Sequence, residues 1–158
     1  MAKPEQLYEN DFYAWALDQA AILRRLPPTD GVDLEHLAEE IEDLGSERLH
    51  AVTSNLVNLL AHLLKAAFSR NPQVTGHWRA ECVAFQRNVR VRYSNSMRQH
   101  VDLADLFRDA RRQAAADFED AGEPVPTLPL TCPFSLADLL DPDFRFDAAL
   151  ERLRAPHH

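Results

Sequence analysis

The side chains of this 158-residue sequence that could do chemistry are a few histidines, two cysteines and several carboxylates. His62 is the most pointed of them. It sits among Leu59, Leu60, Leu63 and Leu64, the least polar part of the sequence. A histidine in such a place is ordinarily a core residue whose ring nitrogens bond a carbonyl or a side chain. A functional role needs partners. If the chain reverses near Gln73, His62 lies opposite Cys82 to Gln86, and Cys82 can approach it. Histidine with cysteine suggests two zinc ligands, or a thiolate–imidazole pair. Two residues do not complete a four-ligand site, and no third orienting group is visible.

A second pattern is Glu-x-x-His, which ferritin-like bundles repeat on facing helices to hold two metals. Glu47/His50 has this spacing, and Asp33/His36 is its aspartate analogue. Neither recurs on another helix. They are 14 residues apart, about 21 Å along a straight helix. They cannot share an ion unless Gly45 breaks the helix sharply, and a solvated face with side-chain pairs three residues apart accounts for them. No metal and no cofactor are expected.

A third set is Glu39, Glu40, Glu42 and Asp43 together with Arg79, Arg87 and Arg90. Glu40 lies nearer the apolar boundary than Glu42, so it is expected to be partly buried and to take a cation from one of these arginines. Such a pair fixes helix register, or lines a cleft for a small charged ligand. The candidates for a ligand site are therefore Glu40, His62, Arg79, Cys82, Gln86 and Arg87. There is no glycine-rich phosphate loop, G-x-S-x-G, H-E-x-x-H, CxxC or calcium loop.

The elements that must position these residues read as helices. The stretch from Asp33 to about Phe68 repeats apolar residues at helical spacing: Leu34, Leu37, Ala38, Ile41 and Leu44, then Val52, Leu56, Leu59, Leu60, Leu63 and Leu64. Its first half is acidic outside the stripe. Its second half is apolar nearly all round and belongs in the core. Gly45 marks a bend or a new start capped by Ser46, and a continuous or gently bent helix is favoured over two separate ones. Asn10 or Asp11 caps an earlier helix, ended by Pro27-Pro28. Pro72 stops the central helix. Thr75 is the expected cap of a helix with Trp78, Cys82, Phe85 and Val89 on one face, antiparallel to the central one. A break or short helical turn is expected from Tyr93 to Val101. Asp102 then caps a helix that Gly122 ends. Four prolines between 123 and 133 keep that stretch extended. Ser135 and Asp138 form a capping box for a short helix, and 144–154 is amphipathic.

Composition bounds the rest. No apolar run reaches the roughly 20 residues of a membrane span. MAKPEQLYEN has no apolar core, so no signal peptide is expected. Two cysteines do not make a disulfide framework. A cytoplasmic protein without membrane contact is the expectation. The net charge of −8 argues against nucleic acid as partner. Charge is segregated: residues 1–50 hold 4 basic and 12 acidic residues, whereas 70–112 hold 9 arginines and 4 acidic residues. The arginine segment reads as an anion site or, more simply, as a complement to the acidic helix.

Three stretches together resemble a known family: Tyr8-Glu-Asn-Asp-Phe-Tyr-Ala-Trp15; Leu37-Ala-Glu-Glu-Ile-Glu-Asp-Leu-Gly45 with His62-Leu-Leu-Lys65; and Cys132-Pro-Phe-Ser-Leu-Ala-Asp-Leu-Leu140. Trp78-Arg79 and Gln86-Arg87 fit as well. The set is similar to the bacterial family catalogued as domain of unknown function 29, from about Tyr8 to Phe144. It departs at Asn95-Ser96-Met97, where the family pattern has Pro-Ser-Leu. The resemblance implies an all-helical bacterial protein and no particular activity.

The expectation is thus one all-α domain over 1–158, an antiparallel helical bundle. It has a loose lead over 1–9, a long central hairpin (about 33–70 and 76–93), a proline-rich strap over 123–134 and short helices over 135–154. His157 and His158 are given no role. Two functions fit. One is a protein-interaction or accessory module without catalysis, binding a protein partner or a second copy, with Phe134, Phe144 and Phe146 as anchors. The other is a small-ligand or metal-binding protein, with or without enzymatic activity, with its site around His62 and the Trp78–Arg87 helix.

Overall fold

The computed structural model describes residues 2–156, so His157 and His158 lie outside the described residues. Seven α-helices are described: α1 Pro4–Asn10, α2 Phe12–Arg25, α3 Leu34–Phe68, α4 Thr75–Arg92, α5 Leu103–Asp120, α6 Leu136–Leu140 and α7 Phe146–Arg154. Two 3₁₀ segments, Pro72–Val74 and Asn95–His100, complete the helical elements, and no strand occurs among the described residues. The protein is all-α. Its contacts group into two compact units: Met1–Val52 with Arg92–His100, and Thr53–Val91 with Val101–His158.

In the first unit, the expected loose lead is a helix. Pro4 at the first turn of α1 explains it, because proline has no N–H to lose there and its φ suits helical entry. Asp11 caps α2, accepting from the Ala14 N–H at 3.1 Å. The same carboxylate accepts from the Ser96 N–H at 3.0 Å and the Ser96 hydroxyl at 2.6 Å, tying the second 3₁₀ segment to α2. Burial alone would raise the Asp11 pKa, but these hydrogen bonds outweigh it and hold the carboxyl below its ordinary range. The Asn95-Ser96-Met97 stretch thus builds a helical turn, with Met97 fully buried.

Gly45 does not break α3. A Cβ placed on it would stand 3.0 Å from the Ala16 Cβ and 3.6 Å from the Tyr13 ring. Glycine here lets α2 and α3 approach through Ala16, Ala20 and Ala38, all buried. Asp33 caps α3 through the His36 N–H at 3.2 Å, and His36 Nδ1 returns a bond to Asp33 at 2.6 Å. The Asp33/His36 pair is therefore a capping device.

In the second unit, the latter half of α3 and α4 form the expected antiparallel hairpin. Asn55 meets Asn88, the Leu59 carbonyl meets Cys82 and His62 meets Glu81. Asn71, rather than Thr75, caps the turn: it accepts from the Gln73 N–H, and the Pro72–Val74 3₁₀ turn runs directly into α4. Val52, Leu56, Leu59, Leu60, Leu63 and Leu64 of α3 are fully buried. By length and hydropathy α3 could cross a membrane, and 56% of that apolar window is buried inside the protein.

Asp102 caps α5. Gly122 ends it at φ +71°, with Gly122 N–H bonded to the Glu119 carbonyl and Glu123 N–H to the Phe118 carbonyl. That pair of bonds is the Schellman motif. The strap follows without regular structure, burying Leu128. The Ser135–Asp138 capping box is present. α7 then packs Phe146, Ala149, Leu150 and Leu153 inward.

Candidate functional site

His62 is carried by α3 and is nearly covered, its side chain 13% exposed. Nδ1 lies 2.8 Å from the Asn58 carbonyl. A carbonyl only accepts, so the proton is on Nδ1. Nε2 is 2.5 Å from Glu81 Oε2 of α4. Glu81 Oε1 stands 3.2 Å from Nε2 of His77, one turn earlier on α4. The Phe85 ring meets the His62 ring edge-on at 5.0 Å. Asn58 in turn accepts through its side chain from Gln113 of α5 at 3.1 Å.

With Nδ1–H committed to Asn58, a contact of this length between Nε2 and a carboxylate requires a proton between them. Burial disfavours placing it on the imidazole, and the Lys65 charge adds to this. The bonds to Asn58 and Glu81 act the other way, and the net effect lowers the His62 pKa. The carboxylate sits between the two imidazoles, one oxygen to each, rather than sharing a central point with them. Among the described residues no three His, Cys, Asp or Glu side chains are placed to hold a metal.

Cys82 is fully buried and turns its thiol toward the Leu59 carbonyl at 4.0 Å. Burial, with the Glu81 charge adding to it, pushes the thiol pKa up to about 12. It remains a thiol at neutral pH, and the thiolate–imidazole reading does not stand.

The remaining sequence candidates go elsewhere. Gln86 donates both amide hydrogens, to the Leu139 carbonyl at 3.0 Å and the Asp141 carbonyl at 2.9 Å, closing the end of α6. Arg79 forks onto Asp147 of α7 at 2.7 and 3.2 Å and lies over the Phe146 ring. Both act as clamps on the C-terminal segment. Arg87 is exposed on α4. Glu40 is exposed too, which corrects the expectation of a partly buried, paired carboxylate. The paired one is Glu42, 2.7 Å from Arg24 of α2, because Glu42 follows Ala38 by one turn on the side that α2 covers. Phe134 and Phe146 are buried in their own unit, so they are not partner anchors. The sequence reading missed Glu81 and His77, although His77 and Glu81 stand at the i, i+4 spacing that places side chains together.

The first unit offers a surface of a different kind. Leu37 and Leu44, seven residues apart on α3, are 46% and 52% exposed. Ile41 between them is half-buried. From Asp33 to Glu47 the helix carries seven acidic residues and no lysine or arginine. Next to this edge Arg48 lies over the Phe12 ring at 4.3 Å, and Phe12 clusters with Tyr8 and Trp15.

The helical order, capped as described, defines a class: an all-α protein built on one long helix and its hairpin partner. The sequence matches the family described as Domain of unknown function DUF29 over residues 7–145, and the chain belongs to that family. It is similar to an alpha-helical protein of unknown function from Rhodospirillum rubrum, solved by crystallography. The identity is 29% and the TM-score 0.84, over 92% of this chain and 96% of that one. No curated protein matches the chain.

Proposed function

We propose that the protein is an interaction module whose docking surface is the Leu37–Leu44 edge of α3, and that its partner presents a basic amphipathic helix. The observation that carries this reading is the pair of large apolar side chains left half exposed at heptad spacing on a helix with no basic residue across that stretch. Single exposed leucines are common. Two at i and i+7, with Ile41 between them, make a stripe that a second helix can cover. The acidic flanks, Glu40 and Glu47 among them, favour lysine or arginine on the partner. They work against a second copy of the chain, which would set acid against acid.

His62, bonded through Nδ1 to Asn58 and covered by Glu81 and Phe85, and the un-ionised Cys82 give the small-ligand alternative less support. The test is a photo-crosslinking residue placed at position 40, beside the stripe, or at Arg90 on α4. Crosslinking in cells should join position 40 to one protein through a lysine- or arginine-rich helix. The adduct should disappear in Leu37→Asp/Leu44→Asp and weaken with salt. Equal labelling from both positions, or labelling that survives the double substitution, would rule the reading out.

A further inference from the structure

The second unit contains a cavity that neither the hairpin nor the docking edge involves. Arg108, Arg111 and Arg112 of α5 line one side of it, and Val125, Pro126 and Leu128 of the strap line the other. Its volume is about 420 Å³, in the range of sites for small molecules. The arginines recur at i, i+3 and i+4, so α5 holds them on one side. Arg108 is held by Asp105 one turn earlier. Arg112 stands 3.8 Å from Asp109, at the outer limit of an ion pair. Arg111 has no acid three or four residues before it, where Arg108 and Phe107 stand. Its Nε is buried and has no hydrogen-bond partner among the described residues.

A buried donor left unbonded forfeits its hydration without return, so buried polar atoms are nearly always satisfied. Arg111 makes no hydrogen bond or ion pair among the described residues and lines a cavity with two more guanidiniums, so an anion in the cavity is a partner for its outer N–H groups, while the shielded Nε stays unbonded. Guanidinium forks match phosphate oxygens, and a phosphate has an oxygen for each of three arginines where a carboxylate fills one fork. The facing wall is apolar, so it suits an apolar body attached to the phosphate. We propose that this cavity binds a small phosphate monoester, with its phosphoryl group on Arg108, Arg111 and Arg112 and its apolar part against Val125, Pro126 and Leu128.

Phenyl phosphate, inorganic phosphate and benzoate are the probes, each titrated calorimetrically into the full chain. Phenyl phosphate should bind at one site, more tightly than inorganic phosphate or benzoate. Arg111→Gln should weaken it by about tenfold or more, the loss of one charge-assisted contact. Arg108→Gln, at an exposed position, should weaken it as well, and Val125→Asp should abolish the preference over inorganic phosphate. Arg70→Gln, outside the cavity, should bind as the parent does. Thermal unfolding of each variant shows that it is folded; removing the unbonded Arg111 donor should leave the melting temperature unchanged or higher. The proposal is overturned by the absence of saturable binding, by binding that Arg111→Gln and Arg108→Gln leave intact, by benzoate binding as tightly as phenyl phosphate, or by inorganic phosphate doing so.

Discussion

His62 is where a single proton decides a local structure. Its Nδ1–H is fixed by the Asn58 carbonyl, so the neutral ring must carry its proton on Nδ1, with the Nε2 lone pair toward Glu81. Two lone pairs cannot hold a 2.5 Å contact, so the His62–Glu81 bond needs one proton, on the ring or on the carboxyl. Two charges act on the ring: Glu81 from α4, which His77 also meets, and Lys65 from α3, itself bonded to Asp117 of α5 at 2.8 Å. The folded pKa is lowered, so the unfolded chain takes up the proton first as pH falls. The sign follows: this residue's contribution to stability is complete at neutral pH and is lost as pH falls from about 6.5 through the lower folded value. Exposed His36, raised chiefly by its bond to Asp33, works in the opposite direction and is lost as pH rises through its folded pKa. Nitrogen-15 spectra of the imidazoles should show His62 titrating below the ordinary histidine value from an Nδ1–H tautomer. In His62→Gln the stability lost between pH 6.5 and 5 should shrink. An Nε2–H tautomer at neutral pH would show that the Asn58 bond is not the organising one.

At the scale of elements, Gly45 has two opposed effects. Alanine at a helix interior is favoured over glycine by about 1 kcal/mol. Against this, the new methyl would press on the Ala16 Cβ, which is rigidly attached to its own helix, and overpacking typically costs about 1–3 kcal/mol. The clash should win: Gly45→Ala should destabilise by about 1 kcal/mol despite its better helix propensity. The partner change Ala16→Gly should turn that effect around, so a double-mutant cycle by urea denaturation should give a coupling of about 1 kcal/mol or more. Additive effects would mean the helices are not in contact there. The same scale shows what was legible in the sequence. Helix ends set by local chemistry were readable: Asp11, Asp102, Ser135 with Asp138, Pro72 and Gly122 act on neighbours within a few residues. So was the register of the α3–α4 hairpin, because a short connection leaves little freedom. The role of Gly45 was not, since its reason stands 29 residues away at Ala16. Nor were the roles of Gln86 and Arg79, whose partners come from α6 and its exit and from α7. Glu40 and Glu42 differ only in which side of α3 is covered, and α2 decides that.

On the scale of the whole molecule, charge is segregated along the sequence, and ion pairs form inside each unit. Arg24 of α2 serves Glu42 and Glu35 of α3 in the first unit. In the second, Arg79 serves Asp147, Arg152 serves Asp138 and the Pro133 carbonyl, and Arg154 serves the end of α3. Arg79 of the basic segment, with Arg152 and Arg154 of α7, thus clamps the C-terminal helices, and the clamps differ in strength for a physical reason. Arg79–Asp147 is an exposed ion pair that water and salt screen. Arg154 donates instead to the Ala67 carbonyl at 2.7 Å and the Ala66 carbonyl at 3.3 Å, both partly buried. Those carbonyls lie in the last turn of α3, where they have no helical N–H left to accept from and the dipole is negative. Removing the guanidinium strips two orphan acceptors at the end of the core helix at once. Arg154→Ala should therefore lower stability by about 1.5–3 kcal/mol, the range for hydrogen bonds to charged groups, with little dependence on salt. Arg79→Ala should lower it much less, and that small effect should fade as salt is raised. Thermal melts at low and high salt separate the two. Equal losses from the two variants, or a loss at Arg154 that salt removes, would mean that α7 is held by general charge attraction rather than by capping the helix on which the second unit is built.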